Sequence, residues 1–241
     1  MPLQKAKDVN FLSPIAEKKK KVAVLWSGGK DSALACHKAI EAGYDVVFIL
    51  TFIWEKPSLA HSLDLVKLQS KALQIPFFWA KVTQPYFESY RETIAELKED
   101  FGITALVTGD ISYVDRFHGN WVDDVCKGLG VEVIKPLWEQ DRSLILQELI
   151  SNGFSVVFSC AKQPWLDASW IGVKLSPQTF KNLQELNEKF RMDMCGEMGE
   201  YHTMTLDGPL FKCTIQISGY EANKVGNSFI MNQIQSTLIA K

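Results

Sequence analysis

The chain has 241 residues, of which 46% are hydrophobic, and a formal net charge of −2. This length predicts one large domain or a principal domain with a smaller one, and the charge gives no reason to expect a nucleic-acid or membrane partner. The five cysteines are scattered and odd in number, so we expect neither disulfides nor C-x-x-C metal sites. No apolar run approaches ~18 residues and residues 1–17 lack a secretory signal, so we expect a cytoplasmic protein.

The first part of the chain alternates predicted strands and helices. Residues 1–20 form a lead-in segment without hydrophobic periodicity, and we assign no function to the lysines that end it. Apolar runs typical of buried strands then alternate with segments that have helical spacing. The predicted strands lie at 22–25, 46–52, 77–82, 105–108 and 131–134, and predicted helices follow the first strand or lie at 62–74, 86–100 and 121–129.

This alternation predicts the fold class. Single helices between strands imply right-handed crossovers and a parallel sheet with helices on both faces. We therefore predict an α/β fold with a doubly wound, Rossmann-like parallel sheet over residues 21–137. Ligands of such sheets bind beyond the carboxyl ends of the strands, near the point where the strand order reverses.

The regular alternation ends at Trp138. Residues 138–241 predict a smaller C-terminal α+β domain. Its predicted elements are a helix over 141–152, a strand over 155–160, a helix beginning near Ser176, and two late strands around the turn Asp207-Gly208-Pro209.

The segment between the first strand and the first helix carries the clearest chemical signal. It reads Ser27-Gly28-Gly29-Lys30-Asp31-Ser32. The two glycines allow close approach of the backbone, and a helix N-terminus favours an anion, so phosphate is the expected ligand. Asp31 after Lys30 does not fit the Walker sequence G-x-x-x-x-G-K-S/T. The segment instead resembles the S-G-G-x-D-S loop of the PP-loop ATP pyrophosphatases, which cleave ATP between the α- and β-phosphates. The alternative is an ordinary turn capped by Asp31 or Ser32.

A second candidate site lies at the end of the fourth predicted strand, at Gly109-Asp110. Residues at this position face the ligand crevice, so Asp110 is expected to hold Mg²⁺ or a substrate group. A common turn is the alternative. The following loop carries Asp115, Arg116, His118 and Asn120, and His118 is interpreted as a solvated loop residue.

A third candidate segment contains two carboxylates and a histidine, Glu197, Glu200 and His202. We expect these residues to act on an acyl substrate or on ammonia, because carboxylates beside ATP phosphates would repel them unless a metal intervened. Ammonium must lose a proton before it attacks, a task suited to Glu200 or His202. Mg²⁺ ligation by the glutamates and an ordinary acidic loop before a hairpin are the alternatives.

Several motifs together resemble one family. They are S-G-G-K-D-S, L-x-x-L-Q-S-K-A-L-x-I-P at 65–76, G-D-I at 109–111, V-C-K-G-L-G and P-L-W within 125–138, and G-E-M-G-E-Y-H-T before D-G-P-L-F within 196–211. Over residues 22–218 the chain resembles the diphthine–ammonia ligase family of N-type ATP pyrophosphatases. The resemblance implies amidation of diphthine, the modified histidine of elongation factor 2, with ATP and ammonium. It also implies an adenine nucleotide α-hydrolase fold with a C-terminal domain that completes the substrate cleft.

The chain departs from this family's usual sequence at two places. Members that amidate diphthine usually read E-G-G-E-F/Y-E-T/S, whereas His202 stands here in place of the last glutamate. They also tend to have S-G-A-I where this chain has T-G-D-I at 108–111. Both variants resemble a bacterial branch linked to cobalamin salvage, so the carboxylate substrate is either diphthine on elongation factor 2 or a small molecule.

The resemblance and the chemistry of adenylation assign roles around ATP. Lys30 is expected to offset charge on the departing pyrophosphate, and Asp31 or Asp110 to bind a bridging Mg²⁺. The nucleotide-binding residues are expected to be Ser27, Gly28, Gly29, Lys30, Asp31, Ser32, Gly109 and Asp110. A tRNA-modifying PP-loop enzyme and a non-catalytic nucleotide sensor are the alternatives, and the sequence leaves open whether the chain forms a homodimer.

Overall fold

A computed structural model describes residues 19–54, 63–113 and 120–241, which form two β-sheets with their helices. The first sheet and its helices comprise β1 (Lys21–Leu25), α1 (Lys30–Glu41), β2 (Asp45–Ile53), α2 (Leu63–Leu73), β3 (Phe77–Lys81), α3 (Tyr86–Phe101), β4 (Ala105–Val107), α4 (Trp121–Cys126) and β5 (Glu132–Ile134). The remaining elements are α5 (Arg142–Ser151), β6 (Ser155–Lys162), a 3₁₀ turn (Ala168–Trp170), α6 (Pro177–Phe190), β7 (Tyr201–Asp207), β8 (Cys213–Val225) and β9 (Ser228–Ala240). Across these ranges, no helix is long and apolar enough to cross a membrane.

The first sheet is parallel throughout and has the strand order β3-β2-β1-β4-β5. The chain builds outward from β1 to β3 and then returns to add β4 and β5 on the other side of β1. The order therefore reverses between β1 and β4, and the ligand crevice is expected beyond their carboxyl ends.

Apolar residues on both faces of this sheet explain its burial. Val24 of β1 belongs to a core that includes Leu34 of α1, whereas its neighbour Ala23 belongs to a second core with Ile94 of α3 and Val125 of α4. Successive strand residues point to opposite faces, so a strand covered by helices on both faces is apolar along its whole length. The predicted doubly wound α/β sheet is confirmed.

The second sheet is antiparallel, with the strand order β7-β6-β9-β8. The two late strands predicted around the Asp207 turn correspond to β7 and β8. β9 was not predicted, although it pairs with β8 along almost its whole length. The missed signal was the tight turn at Gly226, which has a positive φ of 59° and lies between two segments of alternating polarity.

The two sheets share one hydrophobic core and direct hydrogen bonds. The core around Val24 also contains Phe158 of β6 and Met204 of β7. The Lys212 N–H, just before β8, donates to the Ala72 carbonyl of α2 at 2.7 Å. β7 lies directly beside the loop before α1, because the Thr205 N–H of β7 donates to the Gly28 carbonyl at 2.9 Å and the Lys30 N–H donates to the Thr203 hydroxyl at 3.1 Å.

Candidate active site

A cleft of about 640 Å³ opens beyond the carboxyl ends of β1, β2 and β4. Another wall is formed by residues of the turn before β7 and of the start of β7, namely Gly196, Glu197, Gly199, Tyr201, His202 and Thr203. The cleft lies where the strand order reverses, as the sequence predicted for the ligand crevice. Its volume is within the range of about 300–1,000 Å³ that is usual for small-molecule sites.

The loop between β1 and α1 forms the floor of the cleft at one end. Ser27, Gly29 and Ser32 line it, and the hydroxyl oxygens of Ser27 and Ser32 lie 3.3 Å apart. Gly28 does not line the cleft, because its carbonyl faces the protein interior and accepts the Thr205 N–H at 2.9 Å. Gly28 has a φ of +84°, a conformation that glycine adopts readily.

Gly109 brings the end of β4 against the first turn of α1. A Cβ atom at this position would lie 2.6 Å from the Asp31 carbonyl carbon, so no larger residue fits without a shift of the backbone. The next residue, Asp110, lines the cleft and accepts a hydrogen bond from the Asn120 side-chain amide at 3.0 Å. Asn120 also caps α4 through Val122. The other predicted loop residues (Asp115, Arg116 and His118) lie outside the described residues.

Lys30 is only 3% exposed and lies between the two halves of the cleft. Its ammonium group donates to Asp31 Oδ2 at 2.8 Å and to the Cys195 carbonyl at 2.5 Å, and it lies 5.1 Å from the Tyr201 ring centroid. Burial opposes the charged form, but the charge of Asp31, its hydrogen bond and the nearby Tyr201 and Cys195 together outweigh burial and raise the pKa of Lys30 well above its ordinary value. Lys30 is therefore a buried cation next to the loop.

Asp31 has one carboxylate oxygen in this ion pair and one without a protein partner. Its Oδ1 is buried and accepts no hydrogen bond from the described residues, although Asp31 lines the cleft. A buried, unpaired carboxylate oxygen is costly unless something else binds it. Asp31 is thus able to accept a cation or a donor group of a ligand.

The two glutamates of the third candidate segment have different positions. Glu197 lines the cleft, and its burial together with the Asp31 carboxylate raises the pKa of Glu197 to about 7. Glu200 is 2% exposed and does not line the cleft. Its Oε1 accepts the Asp193 N–H at 3.0 Å and its Oε2 accepts the Met198 N–H at 2.9 Å. The Glu200 carboxylate therefore shapes the turn, and the predicted part of Glu200 in the reaction stays a prediction.

His202 also lines the cleft. It lies on β7, one residue before Thr203, whose hydroxyl accepts the Lys30 N–H at 3.1 Å. Thr203 was not singled out from the sequence. Thr203 is a buried polar residue of β7, and its hydrogen bond to a residue 173 positions away along the chain gives no local signal in the sequence.

Aromatic side chains from β2, α3 and α4, and from the residue after β2, form another part of the cleft lining. Phe52, Trp54, Tyr90 and Trp121 all line it. The rings of Phe52 and Tyr90 have centroids 4.0 Å apart, and Trp54 and Trp121 remain 42% and 45% exposed. These side chains were also missed, although a tryptophan directly after the second strand was visible in the sequence. They offer a flat apolar surface for a ring.

An ion pair fixes the turn that carries Glu197. Asp193 accepts the Cys195 N–H at 2.7 Å and pairs with the Arg142 guanidinium at 3.2 Å. Arg142 in turn donates to the Ser112 hydroxyl at 2.7 Å, in the segment after β4. The turn is therefore tied to both sheets.

Comparison with protein families matches two successive parts of the chain. Residues 20–133 match the family described as the diphthamide synthase N-terminal domain, and residues 141–236 match the diphthamide synthase C-terminal domain. The first match includes the loop at 27–32, and the second includes the turn that carries Glu197.

Comparison with individual proteins finds similar sequences in eukaryotes. A protein named diphthine–ammonia ligase from Schizosaccharomyces pombe is 27% identical over 228 residues, which are 83% of this chain and 36% of that protein. The chain therefore spans about a third of that relative's length. A protein of the same name from Homo sapiens is 26% identical over 229 residues, 83% of this chain and 84% of the human protein.

Among solved structures, a predicted subunit of tRNA methyltransferase from Methanocaldococcus jannaschii is similar. It is 15% identical, with 78% of this chain and 97% of that chain covered and a TM-score of 0.43. A likeness this weak has no bearing on function.

Proposed function

Since the chain belongs to the diphthamide synthase family, we propose that it is an ATP-dependent, amide-forming ligase. In the proposed reaction, a substrate carboxylate is adenylated at the expense of ATP, and ammonia then displaces AMP. The observation that supports this most directly is the cleft itself. It has the loop Ser27–Ser32 with the Lys30 cation on one side, and Glu197 and His202 on the other.

ATP is proposed to lie along the cleft from the loop to the aromatic side chains. The first turn of α1 and the Ser27 hydroxyl offer hydrogen-bond donors to the phosphates. The Ser32 hydroxyl donates to the Gly29 carbonyl at 3.0 Å and so fixes the shape of the loop. The adenine ring fits the surface formed by Phe52, Trp54 and Tyr90, which would bury and stack one face of the base. In this proposal the loop at 27–32 binds the phosphates, and the aromatic side chains bind the base.

Asp31 and Asp110 are proposed to hold Mg²⁺. They fit the ion because Asp31 presents a buried oxygen that accepts no hydrogen bond from residues 19–54, 63–113 or 120–241, and Asp110 lines the same cleft. Mg²⁺ usually binds proteins through one or two carboxylates and completes its shell with phosphate oxygens and water. When bound, it would neutralise phosphate charge in the transition state.

The proposed reaction has two steps, adenylation of the carboxylate and formation of the amide. A substrate carboxylate oxygen attacks the α-phosphorus, and the bond to the α–β bridging oxygen breaks, so that pyrophosphate leaves and an acyl-adenylate forms. Ammonia then attacks the acyl carbon, AMP leaves, and nitrogen loses a proton. Lys30 contributes fixed positive charge where negative charge develops on the leaving group.

Glu197 is the proposed proton acceptor for ammonium or for the attacking nitrogen. It faces the cleft, and a carboxyl group whose pKa is raised to about 7 is matched to proton transfer near neutral pH. His202 also lines the cleft and is a second candidate base. For Glu200 we propose a positioning role, through the two peptide N–H groups that it accepts.

The acyl substrate is proposed to be diphthine on elongation factor 2, following the names of the relatives. His202 supports a different acyl substrate as the alternative. It lines the cleft, and family members that amidate diphthine usually carry a glutamate at this position. A neutral or cationic imidazole there would favour another carboxylate, such as a small molecule of the cobalamin-salvage type.

Product analysis tests the proposal. The chain is incubated with ATP, Mg²⁺, isotopically labelled ammonium and either diphthine-bearing elongation factor 2 or a panel of small carboxylates. We expect AMP and pyrophosphate as products, and the labelled nitrogen in an amide of the carboxylate that the enzyme accepts. The methyl ester of the same carboxylate is the control and should not react, because it has no free carboxylate to attack ATP. Formation of ADP and phosphate would contradict the proposal, as would nucleotide binding without turnover for every carboxylate.

A further inference from the structure

Gln69 is a fully buried polar side chain that the proposed chemistry does not use. It lies on α2 at 0% exposure, on the same face as the buried residues Leu65, Val66, Ala72 and Leu73. A buried amide destabilises a protein unless its hydrogen bonds are satisfied. Its partners therefore explain why the helix carries glutamine at a core position.

The Gln69 amide joins three segments of the chain. Its Oε1 accepts the Trp26 indole N–H at 2.8 Å. Its Nε2 donates to the Gly28 carbonyl at 2.9 Å and to the Thr205 carbonyl of β7 at 2.7 Å. An amide NH₂ has two donors, and both are used. One side chain thus connects the strand end before the loop, the loop itself and the second sheet.

The bond to Gly28 determines which way the loop peptide faces. The Gly28 carbonyl accepts both Gln69 Nε2 and the Thr205 N–H, so it points away from the cleft. In a planar trans peptide the following N–H, that of Gly29, points opposite to the carbonyl. Gly29 lines the cleft. The Gly29 N–H donates to Ser27 Oγ at 3.3 Å, and Ser27 lines the cleft as well. The interior bonds therefore hold the peptide that positions the Ser27 hydroxyl, a group that can donate to a phosphate oxygen.

We propose that Gln69 is a positioning residue for nucleotide binding, which sets the phosphate-binding loop against β7 of the C-terminal sheet. This inference rests on the proposed binding of ATP in the cleft. It makes the affinity for ATP depend on a side chain that does not line the cleft. A glutamine that served only packing would affect folding but not the affinity of the folded protein.

The test is Gln69→Met, which conserves approximate size and removes all three hydrogen bonds. Binding of α,β-methylene-ATP, which has no cleavable α–β bridge, is measured by calorimetry beside thermal unfolding. We expect the Kd to rise about tenfold or more, and KM for ATP to rise more than kcat falls. The matched control is Leu73→Ala on the same buried face of α2, which should lower the unfolding temperature without changing the Kd.

A second variant, Gln69→Glu, retains the acceptor for Trp26 but loses the NH₂ donors to Gly28 and Thr205, and it should also weaken binding. A wild-type Kd in either folded variant would overturn the inference, and so would failure of both variants to fold, which would assign Gln69 to stability alone. If the unaltered chain binds the analogue but produces no AMP from ATP, the ligase function fails while the inference on Gln69 stands. Absence of nucleotide binding by the unaltered chain would overturn both.

Discussion

The ammonium nitrogen of Lys30 lies 2.5 Å from the carbonyl oxygen of Cys195. Lys30 opens α1 beside the first sheet, whereas Cys195 belongs to the turn that leads into the second sheet. The same ammonium group also pairs with Asp31. The cation beside the loop is therefore held by both halves of the cleft, and its position depends on the fold of the whole chain.

Lys30→Met should reduce pyrophosphate release by about 100- to 1,000-fold, the usual effect of removing one group that stabilises charge in a transition state. Methionine retains most of the apolar stem and removes the charge. Single-turnover release of pyrophosphate measures the effect. Lys98→Met is the matched control, because Lys98 lies on α3 and donates to the Leu129 carbonyl, away from the cleft. A loss of less than about threefold would exclude Lys30 from the reaction.

Gly109→Ala should weaken ATP binding and lower the free energy of unfolding by about 1–3 kcal/mol. The added methyl group would meet the Asp31 carbonyl carbon at 2.6 Å, and backbone cannot move aside as a side chain can. Thermal unfolding and nucleotide titration measure the two effects. Gly219→Ala is the control, since its nearest neighbour is the Gln235 side-chain oxygen at 3.3 Å. Equal behaviour of the two variants would show that close packing at Gly109 is unimportant.

Much of the fold was predictable because its signals are local. The alternation of apolar runs and helical segments was sufficient to predict β1 to β5, and the order S-G-G-K-D-S was sufficient to place a loop at the crevice. The role of Gln69 was not predicted, because its partners Gly28 and Thr205 are 41 and 136 residues away along the chain. A glutamine on the apolar face of a predicted helix was nevertheless a visible exception to the pattern.

The pH dependence of stability provides a test of the environment of Glu197. Its pKa is about 7 in the folded protein and has an ordinary value of 4.5, so between these values the folded state holds a proton that the unfolded state has lost. Stability contributed by the neutral carboxyl is therefore lost as the pH rises through this window. Glu197→Gln cannot ionise, so its unfolding temperature relative to the unaltered chain should rise by several degrees between the ordinary pKa of the carboxyl and a pH above its folded value.

The control for that experiment is Glu188→Gln at an exposed position of α6, which should show no such change. If the difference between Glu197→Gln and the unaltered chain is the same at both pH values, Glu197 is not buried as a neutral acid. The carboxyl would then be ionised throughout and less suited to accept a proton from ammonium near neutral pH.

The sequence could not distinguish Glu197 from Glu200. Both flank Gly199 within a short segment, and either could have faced the reactants. The turn decides between them, because Gly196 and Gly199 both adopt positive φ, at 77° and 81°. This backbone path turns Glu200 inward onto the peptide N–H groups of residues 193 and 198 and leaves Glu197 in the cleft.

The two glutamates should therefore fail in different ways when each is changed to glutamine. In Glu200→Gln the NH₂ group must face one of the two peptide N–H groups that the carboxylate accepts, so we expect a loss of about 1–3 kcal/mol in the free energy of unfolding. Glu197→Gln should be no less stable than the unaltered chain and should keep its affinity for ATP and Mg²⁺, but it should lose amide formation, so that the acyl-adenylate is hydrolysed instead. The decisive measurement is the ratio of amide to pyrophosphate, which should fall at least tenfold in Glu197→Gln. If Glu200→Gln is stable and loses only amide formation, Glu200 takes part in the reaction directly. If Glu197→Gln loses affinity for Mg²⁺, Glu197 is a metal ligand instead.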